Sequence, residues 1–153
     1  MPTQAEINLE NAHKVPYYKF ILTGGPCGGK TTALARVYSF LRERGFQVVT
    51  SPETFTILAS NGMSSDFFAT EGMGGVIQNV VMDTQLCLEA SLERVLKAHG
   101  KPAVLLCDRG PVDGAAYITE DEWNDLLASR GLDITELRDN RYNAVFHMVT
   151  AAE

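Results

Sequence analysis

The spacing of apolar positions changes several times along the chain, and each change marks an element. Residues 17–23 read as a strand with Phe20, Ile21 and Leu22 at its centre. Residues 24–29, dominated by glycine, can only be a loop. From Lys30 the period lengthens. Leu34, Val37, Tyr38 and Leu41 fall at i, i+3, i+4 and i+7, one face of a helix that Gly45 can close in the left-handed conformation. Residues 46–50 give a second strand, stopped by Pro52, and 54–60 give a short helix. The Gly- and Ser-rich stretch 61–75 predicts a flexible excursion. Ile77, Val81, Thr84, Leu88, Leu92 and Val95 then form the stripe of a long helix over 76–98. The i,i+4 pair Glu93 and Lys97 supports that helix, and Gly100 with Pro102 stops it. Residues 103–107 are apolar throughout, as in a parallel strand covered on both faces. A further helix can open at 113–117, another is expected over 121–129, and 144–150 reads as a final strand. Strands alternating with helices predict an α/β fold, three layers α/β/α around a parallel sheet. Residues 1–16 show no periodic apolar pattern and are expected to be a flexible leader to a single domain over 17–153.

Bulk composition narrows the class without naming it. A chain of 153 residues, 45% apolar and 21% charged, suits one globular domain with a real core. No apolar run approaches the roughly 20 residues of a membrane helix, and the amino terminus lacks the plan of a secretory signal. The expectation is a soluble, cytoplasmic protein with no transmembrane segment. A net charge of −6 argues against general nucleic-acid binding. Cys27, Cys87 and Cys107 have neither CxxC nor metal-ligand spacing, which predicts reduced and mostly buried thiols.

The chemistry concentrates in residues 24–31. Gly24, Gly25, Pro26, Cys27, Gly28, Gly29, Lys30 and Thr31 match GxxxxGK[ST] in full, between a strand and an amphipathic helix. A random chain of this length matches that pattern roughly once in a few hundred, given ordinary residue frequencies. Each residue type has a mechanical reason. Glycines let backbone N–H groups turn inward toward phosphate oxygens, and the helix start adds free N–H groups and a positive dipole end. Lys30 supplies a catalytic charge between the β- and γ-phosphates, and Thr31 offers a hydroxyl to Mg2+. The motif predicts a P-loop binding ATP or GTP with magnesium, with Cys27 as a small filler.

A magnesium–nucleotide site also needs a carboxylate from a neighbouring strand. Asp108 ends the apolar strand 103–107, where such a ligand belongs. The following residues, Arg109, Gly110 and Pro111, do not give the Asp-x-x-Gly of a regulatory GTPase. An Asp-Arg pair here resembles nucleoside and nucleotide kinases, in which the Arg reaches toward the acceptor or the transferred phosphate. Glu53 follows the second strand directly and has two readings, general base for an acceptor hydroxyl or cap of the next helix. Asp113 is expected to be a helix N-cap. Gln85 and Glu89 share a face of the long helix and could line an acceptor pocket, although a solvated or capping role is the stronger expectation. His13, His99 and His147 have no partners at motif spacing.

Residues 24–32, Ser51-Pro52-Glu53-Thr54, Cys107-Asp108-Arg109-Gly110, Arg141-Tyr142 and 147–152 together resemble the AAA-type ATPase family of NadR and the TRPL translocation defect protein. The likeness spans about residues 17–153 and implies that the whole stretch 24–32, Thr32 included, holds the nucleotide. One branch is similar to bacterial ribosylnicotinamide kinase. The other looks like a trafficking protein implied to bind GTP and phosphoinositides, which would place it peripherally at membranes. Two functions compete on this basis: a regulatory nucleotide-binding domain linked to membrane trafficking, and a kinase acting on a nucleoside-like alcohol. In that family the domain continues into a lid segment and a fifth strand, so a domain truncated after its fourth strand is expected.

Overall fold

The computed structural model describes residues 1, 3, 15–25 and 28–149. Most of the expected leader, the loop residues Pro26 and Cys27, His13 and residues 150–153 lie outside the described residues. Among the described residues, four strands, β1 (Tyr17–Gly24), β2 (Gln47–Ser51), β3 (Ala103–Asp108) and β4 (Ala144–Met148), form one sheet in the order β2-β3-β1-β4. All three pairings are parallel. Their carboxyl ends therefore share one edge, where Gly24, Ser51, Asp108 and Met148 lie close in register.

Alternation along the strands builds the layers. Val48, Val104 and Leu106, with Phe20, face α1 (Lys30–Glu43) and meet its Leu34, Val37 and Leu41. Ile21, Ala103, Leu105 and Cys107 face the opposite side and pack with Leu92 and Leu96 of the long helix α4 (Met73–His99). Between β2 and α4 lie two short helices, α2 (Thr54–Ser60) and α3 (Ser65–Ala69). A satellite cluster joins Met82 of α4 to Trp123, Leu126 and Leu127 of α5 (Glu120–Arg130) and to Leu137. The three-layer α/β/α architecture read from the sequence is the architecture found.

Element ends follow local chemistry. Thr119 and Glu122 form a reciprocal capping box at the start of α5, and Gly131 closes it at φ 61°. Several expectations need correction. The 61–75 excursion contains α3, and α4 begins at Met73 rather than residue 76. Residues 111–117 form a 3₁₀ turn, and a short π-helical turn at Glu136–Asn140 was not anticipated. Tyr38 is exposed, because α1 touches the sheet only through the narrower row Leu34, Val37, Leu41. Val95 is also exposed, at 63%. The inner face of α4 is instead Ile77, Gln78, Met82, Gln85, Glu89 and Leu96. Cys107 is buried as expected, whereas Cys87 is exposed, on the outer side of α4.

Candidate functional site

β1 delivers its last residue, Gly24, against β4. Gly24 has φ 141°, and a Cβ built on it would overlap the carbonyl oxygen of Met148. Gly28 is almost as confined, since its Cβ would stand 3.3 Å from the carbonyl oxygens of both Gly25 and Met148. Gly29, at φ 75°, occupies the N-cap position of α1, and no side chain among the described residues caps that helix. A helix start without such a cap has amides to offer, the arrangement that suits an anion. Lys30 folds back across the turn, its Nζ donating to the carbonyls of Gly24 and Gly25 at 3.0 Å each. Thr31 and Thr32 are exposed in the first turn of α1.

Asp108 ends β3 in register with Leu22, one strand away from the loop. Its Oδ1 is buried and has no hydrogen-bond partner among the described residues. Burial pushes the Asp108 carboxyl above its ordinary range, as do the charges of Glu53 and Asp113, while Lys30 and Arg109 pull it down. Those four groups therefore lie within electrostatic reach of Asp108. An orphaned carboxylate oxygen beside a lysine-bearing loop is what a divalent cation would satisfy. Magnesium needs only one or two carboxylates, taking its other ligands from phosphates and water. Asp108 could serve as such a carboxylate, and the exposed Thr31 hydroxyl is the other candidate ligand.

Arg109 has φ 68°, the only positive value at a non-glycine among the described residues. Its Nε donates to Glu53 Oε1 at 2.6 Å, joining the ends of β3 and β2. Glu53 does stand at the N-cap position of α2, but its side chain bonds none of that helix's amides. Its other oxygen accepts from Thr56 Oγ1 at 3.1 Å. Asp113 is not the N-cap expected of it; that position belongs to Gly110. From the third residue of the turn, Asp113 accepts from the Gly110 N–H at 2.7 Å and from Thr23 Oγ1 at 2.8 Å. It thus ties the Asp-Arg-Gly turn to the end of β1.

Glu53 and Arg109 form one wall of a cavity of about 270 Å³. Phe55, Phe68 and Met82 contribute apolar surface, and Gln78 and Gln85 contribute amides. The solvated or capping role expected of Gln85 and Glu89 is overturned: Gln85 is 5% exposed and Glu89 0%. Burial follows from their partners, since Glu89 is met by Arg141 and Tyr142 and Gln85 by the Arg109 carbonyl. Sequence reasoning missed Gln78 and Gly114, whose added Cβ would fall 2.7 Å from Gln78 Oε1. The available signal was polar: Gln78, Gln85 and Glu89 recur at i, i+7 and i+11, on one side of a helix. His99 and His147 are exposed and outside the site.

A parallel α/β sheet with a GxxxxGK[ST] loop at its carboxyl edge and an acidic neighbouring strand defines a nucleotide-binding P-loop domain. A family model described as an AAA domain matches residues 19–153, and the chain belongs to that family. No curated protein matches the chain. Among the described residues, no helix is long and apolar enough to cross a membrane.

Proposed function

We propose that this domain binds a nucleoside triphosphate, ATP or GTP, with Mg2+ and transfers the γ-phosphoryl group to an alcohol of a small, nucleoside-like molecule. The observation that carries this reading is the cavity shared by Glu53 and Arg109. Its volume, about 270 Å³, falls just below the roughly 300–1,000 Å³ usual for ligand pockets, and suits a small acceptor. Aromatic surface from Phe55 and Phe68, paired edge-to-face at 5.2 Å, and amides from Gln78 and Gln85 suit a ring with polar edges.

In this reading the loop amides and Lys30 hold the triphosphate, with Thr31 and Asp108 holding magnesium. Magnesium held there would supply charge neutralisation at the phosphates. Glu53 removes the proton from the acceptor hydroxyl, whose oxygen forms the new bond to the γ-phosphorus. The bond from that phosphorus to the bridging oxygen breaks, and the nucleoside diphosphate leaves. Arg109 orients Glu53 and faces the charge of the group in flight.

Glu53→Gln tests this directly. It should retain triphosphate binding and lose transfer to a nucleoside by about 100-fold or more, measured with γ-labelled nucleotide. Undiminished transfer would remove Glu53 from the mechanism. The competing role, a regulatory domain serving membrane trafficking with a phosphoinositide partner, predicts binding without transfer in the wild type. The resemblance to NadR favours the kinase outcome, and the resemblance to the TRPL translocation defect protein favours the regulatory one.

A further inference from the structure

The inner face of α4 carries a carboxylate with no access to solvent. Glu89 accepts from Tyr142 Oη at 3.0 and 2.9 Å, from Arg141 Nε and Nη2 at 3.2 and 3.1 Å, and from Gln85 Nε2 at 3.1 Å. Lys19 Nζ stands 3.9 Å away. A buried charge so fully partnered fixes geometry more than it adds net stability.

Gln85 transmits that geometry. Its Nε2 also donates to the carbonyl oxygen of Arg109 at 2.9 Å. A carboxylate and a carbonyl can only accept, so the Gln85 nitrogen must face both and the amide cannot reverse. On its other side, the Arg109 N–H donates to the Leu22 carbonyl at 2.9 Å. The main chain of Arg109 is therefore held from both directions. An L-residue at φ 68° persists only where its surroundings over-determine it. Relaxing that conformation would carry the guanidinium away from Glu53.

We infer that Gln85, oriented by Glu89, is a positioning residue that clamps the Arg109 main chain in its left-handed conformation and so aims the Arg109 guanidinium at Glu53. The effect on turnover rests on the phosphotransfer reading proposed above, whereas the clamp itself does not. The two are therefore tested by separate readouts.

The test is Gln85→Met in the full chain, which keeps side-chain length and removes both donors. The first readout is the Arg109 Nε–H resonance, assigned by its loss in Arg109→Lys. Contact with Glu53 should make it slow to exchange in the wild type. In Gln85→Met its exchange should accelerate about tenfold or more while the Arg141 Nε–H is retained. The second readout is turnover. kcat should fall roughly 10- to 100-fold with nucleotide KM within about twofold, and Gln85→Met should add nothing in an Arg109→Lys background. An Arg109 Nε–H equally protected in Gln85→Met overturns the inference, as do independent, multiplicative losses in the double variant. A deprotected Nε–H in a protein whose wild type transfers no phosphate supports the clamp and sinks the kinase reading alone. Should Gln85→Met not fold, Gln85→Asn, one methylene too short to span both acceptors, is read in the same way.

Discussion

The main-chain carbonyl of Met148 occupies the space that a side chain on Gly24 would need. β1 and β4 run parallel with these two residues in register, so the loop's first residue must be a hydrogen on that side. Overlap with backbone, added to φ 141°, should make Gly24→Ala less stable by about 2–4 kcal/mol. In a domain of this size that corresponds to a melting temperature lower by roughly 5–15 °C. Gly25, whose Cβ would meet nothing within 4 Å among the described residues, provides the control. Gly25→Ala should stay within about 0.5 kcal/mol of the wild type. Equal melting of the two variants would show that β4 does not press on the loop.

Lys30 bonds two carbonyls of its own loop, and neither bond fixes a core element. Its loss should therefore be felt by an anion more than by the fold. Lys30→Ala is expected to weaken binding of magnesium–ATP and magnesium–GTP by at least about tenfold, near 1.4 kcal/mol. Its melting temperature should change little. Titration calorimetry beside thermal melting separates the two effects, and full affinity in the variant would exclude Lys30 from phosphate binding.

The parts of this molecule that the sequence made legible are those set by short-range spacing. The loop at 24–31 and the strand ending in Asp108 are each decided within a few residues. The parts that were not legible depend on distant partners. Glu89 reads as a surface residue, yet it is buried because Arg141 and Tyr142, 52 and 53 positions further on, bring matching donors to it. The apolar stripe of α4 was misplaced for the same reason. Its inner face carries Gln78, Gln85 and Glu89, so counting only hydrophobic side chains rotates the inferred face toward exposed Val95. Arg109 shows nothing in its residue type that announces φ 68°, and the order β2-β3-β1-β4 has no local signature.

Asp108 links stability to pH in a defined direction. Burial, joined by the charges of Glu53 and Asp113, raises its carboxyl above the ordinary range despite Lys30 and Arg109. The folded protein therefore keeps this proton at pH values where the unfolded chain has released it. Its contribution to stability is greatest below the ordinary carboxylate range and falls as pH rises through the raised value. Asp108→Asn should accordingly raise the melting temperature of the nucleotide-free protein at neutral pH and flatten this part of its acid dependence. The same variant should weaken magnesium-dependent nucleotide binding about 10- to 100-fold. Melting curves across pH 4–8 with and without magnesium–ATP, read as an approximate window around the ordinary carboxylate range, check both signs. A variant less stable at every pH would show that the charge on Asp108 is favourable in the fold.

Removing Glu89 should cost far more than its own bonds suggest. Its carboxylate is fully buried, and deleting it would leave the Tyr142 hydroxyl, the Gln85 amide and two cations facing a void. Stranding one side of a buried ion pair typically costs about 3–5 kcal/mol, which is the loss expected for Glu89→Ala in urea denaturation. Arg141 is 26% exposed, so Arg141→Met leaves a buried carboxylate that Lys19, Tyr142 and Gln85 still solvate. That variant should lose less, and the two losses should not add, because each removes the other's partner. Additive losses would mean that Glu89 and Arg141 stabilise the fold separately, with no shared buried pair between α4 and the segment entering β4.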